Sequence, residues 1–476
     1  EARDSFSFHP MSVPFRTLPL VLAVSALLSA GTASAADSLT FEAARARFHE
    51  RADIFRADAA EVERARHASE SAKSLSGPKV DITAMQVEGR KDLDLNLDIP
   101  ASVQQLGNVL TGGKYPIPSS MRFTDELDLS GPRAMISATW PLYTGGAITA
   151  QQNLLEHKVR EASAAQSARL EEKDADLAMR YWGVQLTRSV EELRRERLKD
   201  EEEQVHRAMR FEKKGLISRI ERMSVEVSRD AARRELVSAG TSARVAEAEL
   251  MSALREKELP ALATPLFILT GDLGTLSEWQ SRARINSPVL SRIDAQVSQA
   301  GEGVRAAESA FHPQVFAFGM KNLVKHYLTP VEPDWMVGLG IKFTLWDNRD
   351  RFSSLAASHA QEEKARAAKA EADNALASAV ETAFLRTTQA REEYLLTAST
   401  VALAKENLRL REASFAEGLS TALDVREART QMTGAQIAER AAAYKFVVSW
   451  AMLHGAAGVM PDFVATLSRP DLKRVE

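Results

Sequence analysis

Hydrophobic positions recur along this chain with two different spacings. From Leu39 to about Leu75, and for about 67 residues after Gly146, apolar side chains return every three to four positions, which predicts amphipathic helices. Further helices are predicted at 218–256, 276–311, 351–416 and from the second glycine turn to Gly455. A helix of about 67 residues is about 100 Å long at a rise of about 1.5 Å per residue. Helices of that length are typical of a coiled coil or a helical tube.

Four short segments alternate instead between apolar and polar or small residues, as β-strands do. They are predicted at 78–90, 133–143, 313–323 and 335–346. Such two-faced strands fit a sheet with lipid on one face and water on the other. They fit equally well a half-buried antiparallel sheet in a soluble protein.

The two halves of the chain repeat one another. An aromatic residue, a Gly-Leu pair, a serine and an acid recur around Gly215 and Gly418, and these glycines lie 203 residues apart. Leu142 and Leu345, at two of the strand ends, have the same separation. A glycine can end one helix and the following serine can cap the next, so each copy predicts a tight helical hairpin. The predicted units are a first repeat at 36–260, a second repeat at 261–459 and a C-terminal tail at 460–476.

The first repeat carries about 32 residues that the second lacks. This insertion falls at about 89–132, a segment rich in Asp, Asn, Pro, Gly and Ser. That composition predicts a long surface loop.

The pattern near the start of the chain predicts export. Residues 11–35 combine Arg16, an apolar run and the small residues Ala33-Ser34-Ala35, as in a secretory signal peptide. The mature chain is expected to begin near Ala36, outside the cytoplasm. Beyond this segment no run of about 18 apolar residues predicts a membrane helix, so membrane insertion would require a closed β-barrel. Four strands are too few, because a barrel needs about eight; two, three or four chains would have to combine.

The composition argues against several classes of function. The formal net charge is −4, so no basic surface for nucleic acid is expected. There is no cysteine, which excludes disulfides, thiolate metal sites, a cysteine nucleophile and an acylated cysteine anchor. The nine histidines are scattered, and no phosphate loop or nucleophile elbow is present. We therefore expect no enzyme activity, no cofactor and no metal site.

Together these features resemble the TolC family of outer-membrane efflux and secretion channels. The resemblance rests on the Pro-bounded strands, the segment Pro141–Gly146 at a strand-to-helix junction and the Gly-Leu turns followed by an acid, and it covers about 39–459. The second copy departs from it, with Asp347-Asn348-Arg349 where the family favours Asp-Gly-Gly. The resemblance implies a mainly α fold with a β-barrel: a homotrimer with a 12-stranded barrel in outer-membrane lipid, a 12-helix tunnel through the periplasm and a small equatorial domain.

The resemblance also implies roles for particular residues. The tips that meet a periplasmic adaptor protein would be Gly215, Leu216, Ile217, Gly418, Leu419 and Ser420. The periplasmic gate would comprise Asp424, Glu427, Glu221, Arg219 and Arg222, with ion pairs of Arg219 or Arg222 to Glu221 and Asp424 closing it. The strand–helix junctions would be Pro141, Leu142, Gly145, Gly146, Leu345 and Trp346. In the simpler alternative, the Gly-Leu pairs merely close the hairpins, and the two acids near the second tip pair with Arg426 or Arg429 on a solvated face.

Two functions are compatible with these patterns. The first is a passive exit duct of a tripartite efflux pump or a type I secretion system, docked to an adaptor and driven by an inner-membrane pump or ABC exporter. The second is a soluble periplasmic coiled-coil scaffold or adaptor, which leaves the paired alternating strands unexplained.

Overall fold

The computed structural model describes residues 38–475 apart from 129, 327, 329–331, 347, 349 and 418. The predicted signal segment and Gly418 lie outside the described residues. The helices are α1 Phe41–Arg51, α2 Asp53–Lys73, α3 Ala101–Thr111, α4 Ala147–Lys213, α5 Arg219–Leu254, α6 Leu276–Asn286, α7 Pro288–Glu308, α8 Arg351–Ala416, α9 Ala422–Ala457 and α10 Met460–Thr466. The strands are β1 Lys79–Val87, β2 Arg90–Asp98, β3 Ser120–Asp128, β4 Gly131–Tyr143, β5 Leu266–Leu269, β6 Gln314–Asn322, β7 Trp335–Lys342 and β8 Leu472–Val475.

The two long helices, α4 and α8, have the predicted bounds and contain 67 and 66 residues. One half of α4 packs against α5 and α9, and its other half packs against α2 and α7. Likewise, α8 packs against α9 and α7. Each long helix is thus matched by two shorter ones placed end to end, as the sequence predicts. The result is an arc of helices in the order α5, α4, α9, α8 towards the glycine turns and α2, α4, α7, α8 towards the strands.

Two predicted helices are each broken in two. The helix expected at 39–75 is interrupted at Ala52, whose backbone is extended with a ψ of 121°. The helix expected at 276–311 is interrupted at Ser287, which precedes Pro288. The proline ring disfavours helical geometry in the residue before it, and the Ser287 side chain then caps α7. Both breaks let short helices turn around the middle of the molecule.

The four predicted strands form one antiparallel sheet in the order β1-β4-β6-β7. On one face lie apolar side chains such as Ile82, Leu339 and Ile341, and each of these three is more than 70% exposed. The opposite face carries Lys79, Asp81, Thr83, Ser137, Thr139, Phe316, Phe318, Gly338 and Gly340. The rings of Phe316 and Phe318 occupy the space over the two glycines, so a Cβ at either glycine would require the ring to shift. The sheet has two open edges, β1 and β7.

The prediction of a surface loop at 89–132 is wrong. Strands β2 and β3 pair as an antiparallel hairpin, and helix α3 lies at its far end. Asp and Asn are frequent in loops, but here they alternate with leucine along β2, as a two-faced strand requires. The loop-like composition concealed this alternation.

A compact collar surrounds the middle of the helical arc. Its core consists of fully buried aromatic side chains, including Phe41, Tyr181, Trp182, Phe446 and Phe463. The segment predicted as a tail belongs to this collar, since α10 packs on α9 and β8 pairs with β5. No helix in the described part of the chain is both long and apolar enough to cross a membrane.

Candidate functional site: the helical tips and the strand–helix junctions

The first glycine turn closes α4 onto α5. Gly215 has a left-handed φ of 73°, and the Leu216 amide donates to the Phe211 carbonyl over 2.9 Å. This bond spans a Gly-terminated helix end, where glycine takes the left-handed conformation without a steric penalty. Leu216 is 66% exposed at the tip, whereas Ile217 is half-buried.

The second turn repeats the first at an offset of 203 residues. The Leu419 amide donates to the Ser414 carbonyl over 2.8 Å, and Leu419 is 79% exposed. The two leucines thus form exposed apolar knobs at the ends of both hairpins. Gly418 lies outside the described residues.

The acid six residues after each glycine has a local role that the sequence analysis missed. Glu221 accepts from the Ser218 amide at 2.7 Å, and the Ser218 hydroxyl accepts from the Glu221 amide. Asp424 and Thr421 exchange the same two bonds at the start of α9. Each acid therefore completes a capping box that fixes the entry of the returning helix. Hydrogen bonds from Thr421, and a weaker one from Ser420, hold the pKa of the Asp424 carboxyl below its usual value.

The expected ion pairs of Arg219 or Arg222 with Glu221 and Asp424 do not form within the described chain. Arg222 pairs instead with Glu212 at 2.7 Å and with Glu226, which ties α5 to α4 inside the first tip. Residue spacing on one helix could not reveal that the neighbouring helix supplies a closer acid. Arg219 is exposed at the first turn of α5.

The simpler pairing of Asp424 or Glu427 with Arg426 or Arg429 does not form within the described chain either. Glu427 is exposed, whereas both arginines reach towards other helices. The Arg426 guanidinium donates to the Ser228 hydroxyl on α5 at 3.0 Å. Arg429 pairs with Glu412 on α8 at 2.6 Å and with Asp200 on α4 at 3.3 Å.

We call Arg426, Ser228, Arg429 and Asp200 the inter-repeat clasp, because they join α9 of the second repeat to α4 and α5 of the first. Glu201, only 6% exposed, lies beside this clasp. Burial raises the pKa of its carboxyl, and the positive charges of Arg197, Arg426 and Arg429 oppose that rise. Sequence offsets between the repeats gave no signal for the clasp, because its contacts cross from one repeat to the other.

The strand–helix junctions are built on left-handed turns. Gly145 has a φ of 64°, and a Cβ there would lie 2.6 Å from the His312 Cβ. Pro141 and Leu142 lie in β4, and Gly146 caps α4. In the second copy Asn348 occupies the position equivalent to Gly145 with a φ of 54°. Asparagine tolerates this conformation better than other non-glycine residues, so the turn survives the departure from Gly.

Strand β7 ends at Lys342 rather than at the predicted residue 346. Leu345 and Trp346 therefore lie beyond the strand, and both are 84% exposed. The Trp346 indole donates to the Asn348 side chain at 2.8 Å, so the turn residue also orients this ring.

Two titratable groups in the collar have strongly shifted pKa values. Burial raises the pKa of the Glu171 carboxyl to about 7, and a hydrogen bond from the Met460 amide opposes this rise. Burial lowers the pKa of His454 to about 4. No group of three or more potential metal ligands occurs among the described residues.

Comparisons with known proteins agree with this architecture. The family model described as outer membrane efflux protein matches residues 45–254 and 279–459. No curated protein sequence matches the chain.

Solved structures share the fold at low sequence identity. A membrane protein from Pseudomonas aeruginosa is 15% identical with a TM-score of 0.70, over 88% of this chain and 93% of that one. The open-state MtrE outer membrane channel of Neisseria gonorrhoeae is 17% identical with a TM-score of 0.68, over 88% of this chain and 89% of that one. The CmeC outer membrane channel of Campylobacter jejuni is 12% identical with a TM-score of 0.70, over 90% and 89%.

The family match favours the channel over the soluble scaffold that the sequence patterns left open. The chain shares its fold of long helices, collar and strand sheet with these solved structures. The chain therefore belongs to the outer membrane efflux protein family and serves as an outer-membrane exit duct that extends into the periplasm.

Proposed function

We propose that three copies of this chain close into one tube, and that the inter-repeat clasp holds its periplasmic end shut. The observation that carries the proposal is the open arc. Helix α5 lies at one end of the arc and α8 at the other, and β1 and β7 are the open edges of the sheet. Two different edges on one chain join head to tail, and such joints generate a ring when the rotation between neighbouring chains closes.

Both helical edges carry apolar side chains that nothing in the described chain covers. On α5 they are Ile220, Met223, Val227, Val237 and Val245, and on α8 they are Leu385, Leu395, Leu396, Leu403 and Leu410. Burying two such stripes against each other favours association, because apolar area removed from water contributes about 25 cal/mol per Å². Three chains with four strands each supply twelve strands, enough to close a barrel.

In this assembly the face with Ile82, Leu339 and Ile341 contacts lipid, and the face with Thr83 and Ser137 lines water. The helices continue the pore into the periplasm. Asp424 and Glu427 lie near its inner end, where three copies of each would place six carboxylates around one aperture. Such a ring concentrates negative potential and favours cations.

Opening the inner end requires the α8–α9 hairpin to move away from the α4–α5 hairpin. The clasp opposes this motion, since Arg426 and Arg429 reach from α9 to α5 and α4. We infer that loss of both arginines opens the tube.

The exposed Leu216 and Leu419 knobs fit an adaptor protein at the periplasmic tips. The adaptor would connect the duct to an inner-membrane pump or ABC exporter, which supplies the energy. Either an efflux pump or a type I secretion system fits this role.

The clasp is tested by single-channel recording of the double variant Arg426→Ala/Arg429→Ala in planar bilayers. We expect a several-fold rise in conductance over the wild type. Arg409→Ala is the matched control, because the only partner of Arg409 among the described residues is Glu406 on its own helix, at 2.7 Å. Unchanged conductance in the double variant, with trimers intact, would refute the clasp as a gate.

A further inference from the structure

The insertion in the first repeat forms a separate two-stranded sheet, β2 with β3, that follows directly on the β1–β4 pair. Val87 pairs with Gly131, and Arg90 pairs with Asp128 three residues further along both arms. The register is therefore the same on both sides of the junction, with no net insertion in either arm. Two residues separate the paired segments in each arm, and over an even number of residues an extended backbone returns side chains of equal parity to the same face.

The apolar and polar faces change places between β1 and β2. On β1 the face with Val80 and Ile82 is apolar. On β2 the same face carries Asp92, Asp94 and Asp98. Ion pairs across the strands lie on this acidic face, between Arg122 and Asp94 at 3.5 Å and between Arg90 and Glu126 at 3.6 Å.

The apolar side chains of the extension lie on the other face, which continues the water-lining side of the sheet. Leu95 pairs with Phe123, and Leu97 pairs with Met121. All four side chains are 45–55% exposed, so about half of each is left uncovered by the described chain. A role in contacting lipid would instead require apolar residues on the face of Val80 and Ile82.

Helix α3 enlarges this apolar surface at the end of the hairpin. Gly107 lies against Ile117, so closely that a Cβ would be 2.1 Å from its Cδ1, and the Gln104 amide donates to the Ile99 carbonyl at 2.6 Å. These contacts fix α3 to the hairpin. Val109 and Leu110 nevertheless remain 79% and 77% exposed.

We propose that the β2–α3–β3 hairpins of three chains pack against one another through these apolar faces and form a cap over the outer end of the pore. The proposal rests on the trimer proposed above. In that trimer the apolar faces point towards the common axis, where the sister hairpins lie, and the acidic faces point outwards. The opposite arrangement would bring like charges together, which is unfavourable.

The cap also explains how the hairpin stays ordered. An isolated two-stranded hairpin is marginally stable in water and needs a further packing surface. The second repeat has only a short connection between β6 and β7, so each chain contributes one hairpin, and three copies suit the threefold axis.

Single cysteines test the cap directly, because the chain has no cysteine of its own. Leu97→Cys places a thiol on the apolar face, and Asn96→Cys places one on the acidic face of the same strand. The trimers are purified in detergent, treated with copper phenanthroline and run on denaturing gels, while native mass spectrometry reports assembly. We expect cross-linked dimers for Leu97→Cys, at several-fold higher yield than for Asn96→Cys.

Replacing residues 90–128 by a short Gly-Ser turn provides a second readout. We expect this deletion to leave the trimer intact and to raise single-channel conductance further in the Arg426→Ala/Arg429→Ala background, where the periplasmic end no longer limits the current. If trimers form and conduct but Leu97→Cys cross-links no better than Asn96→Cys, the cap is wrong and the proposed duct stands. If the wild-type chain stays monomeric, both proposals fail.

Discussion

The acids that follow the two glycine turns occupy positions that the sequence predicts to be equivalent, but their capping role is visible only in the structure. Their repeated position marks Glu221 and Asp424 correctly as a pair of equivalent sites, but both fix the start of a helix through a capping box. Spacing on one helix identifies neighbours of that helix alone. The partners of Arg222, Arg426 and Arg429 belong to other helices, and only the fold reveals them.

The two roles of Asp424 can be separated by substitution. We expect Asp424→Asn to retain an acceptor for the Thr421 amide while removing the charge, whereas Asp424→Ala removes both. If the carboxylate acts through its charge at the aperture, both variants reduce cation selectivity equally in planar bilayers, and only Asp424→Ala lowers the thermal unfolding midpoint. Unchanged selectivity in both variants would exclude Asp424 from the gate.

Glu171 predicts a pH dependence of stability. Its pKa is raised to about 7 in the folded chain, so the folded state binds a proton that the unfolded state releases at lower pH. Its contribution is therefore fully present below the ordinary carboxyl pKa and is lost as the pH rises through about 7. Glu171→Gln keeps an acceptor for the Met460 amide but cannot ionise.

We expect the thermal unfolding midpoint of Glu171→Gln to exceed that of the wild type at pH 8 and to match it at pH 4. Glu172→Gln is the control, because Glu172 is exposed and pairs with Lys173 at 3.2 Å. Equal midpoints for Glu171→Gln and the wild type at both pH values would rule out a proton on Glu171 in the folded state.

At the scale of elements, the patterns predicted the long helices and the strands of the main sheet well. Hydrophobic periodicity set the bounds of α4 and α8, since a long uninterrupted pattern leaves little ambiguity. Periodicity did not predict the helix break at Ala52, where collar packing outweighed the local helical pattern. Within 89–132, residue types typical of loops outweighed the alternation of the strands. The duplication predicted the positions of the strand–helix junctions, including the one at Asn348, where glycine is absent.

The junction turns give a matched pair of substitutions. We expect Gly145→Ala to destabilise the protein by about 1–3 kcal/mol, because alanine is strained in the left-handed conformation. Its Cβ would also collide with His312. Asn348→Gly should cost less, about 1 kcal/mol at most, since glycine adopts the same φ freely and only the exposed hydrogen bond from the Trp346 indole is lost. Chemical denaturation measures both, and a neutral Gly145→Ala would contradict the assigned turn.

At the scale of the molecule, neither the arc of helices nor the four-stranded sheet closes on itself. Each has two different open edges, and the exposed apolar stripes on α5 and α8 need partners of the same length. The sequence predicted that four strands cannot close alone, since this follows from counting. The clasp and the inverted faces of the β2–β3 hairpin required three-dimensional contacts and register.

The most direct test of the account is the mass and conductance of the purified mature protein. Native mass spectrometry in detergent, followed by reconstitution of the same sample in planar bilayers, should give three chains per particle and discrete ion-conducting steps. A particle of one chain that never conducts ions would contradict the account.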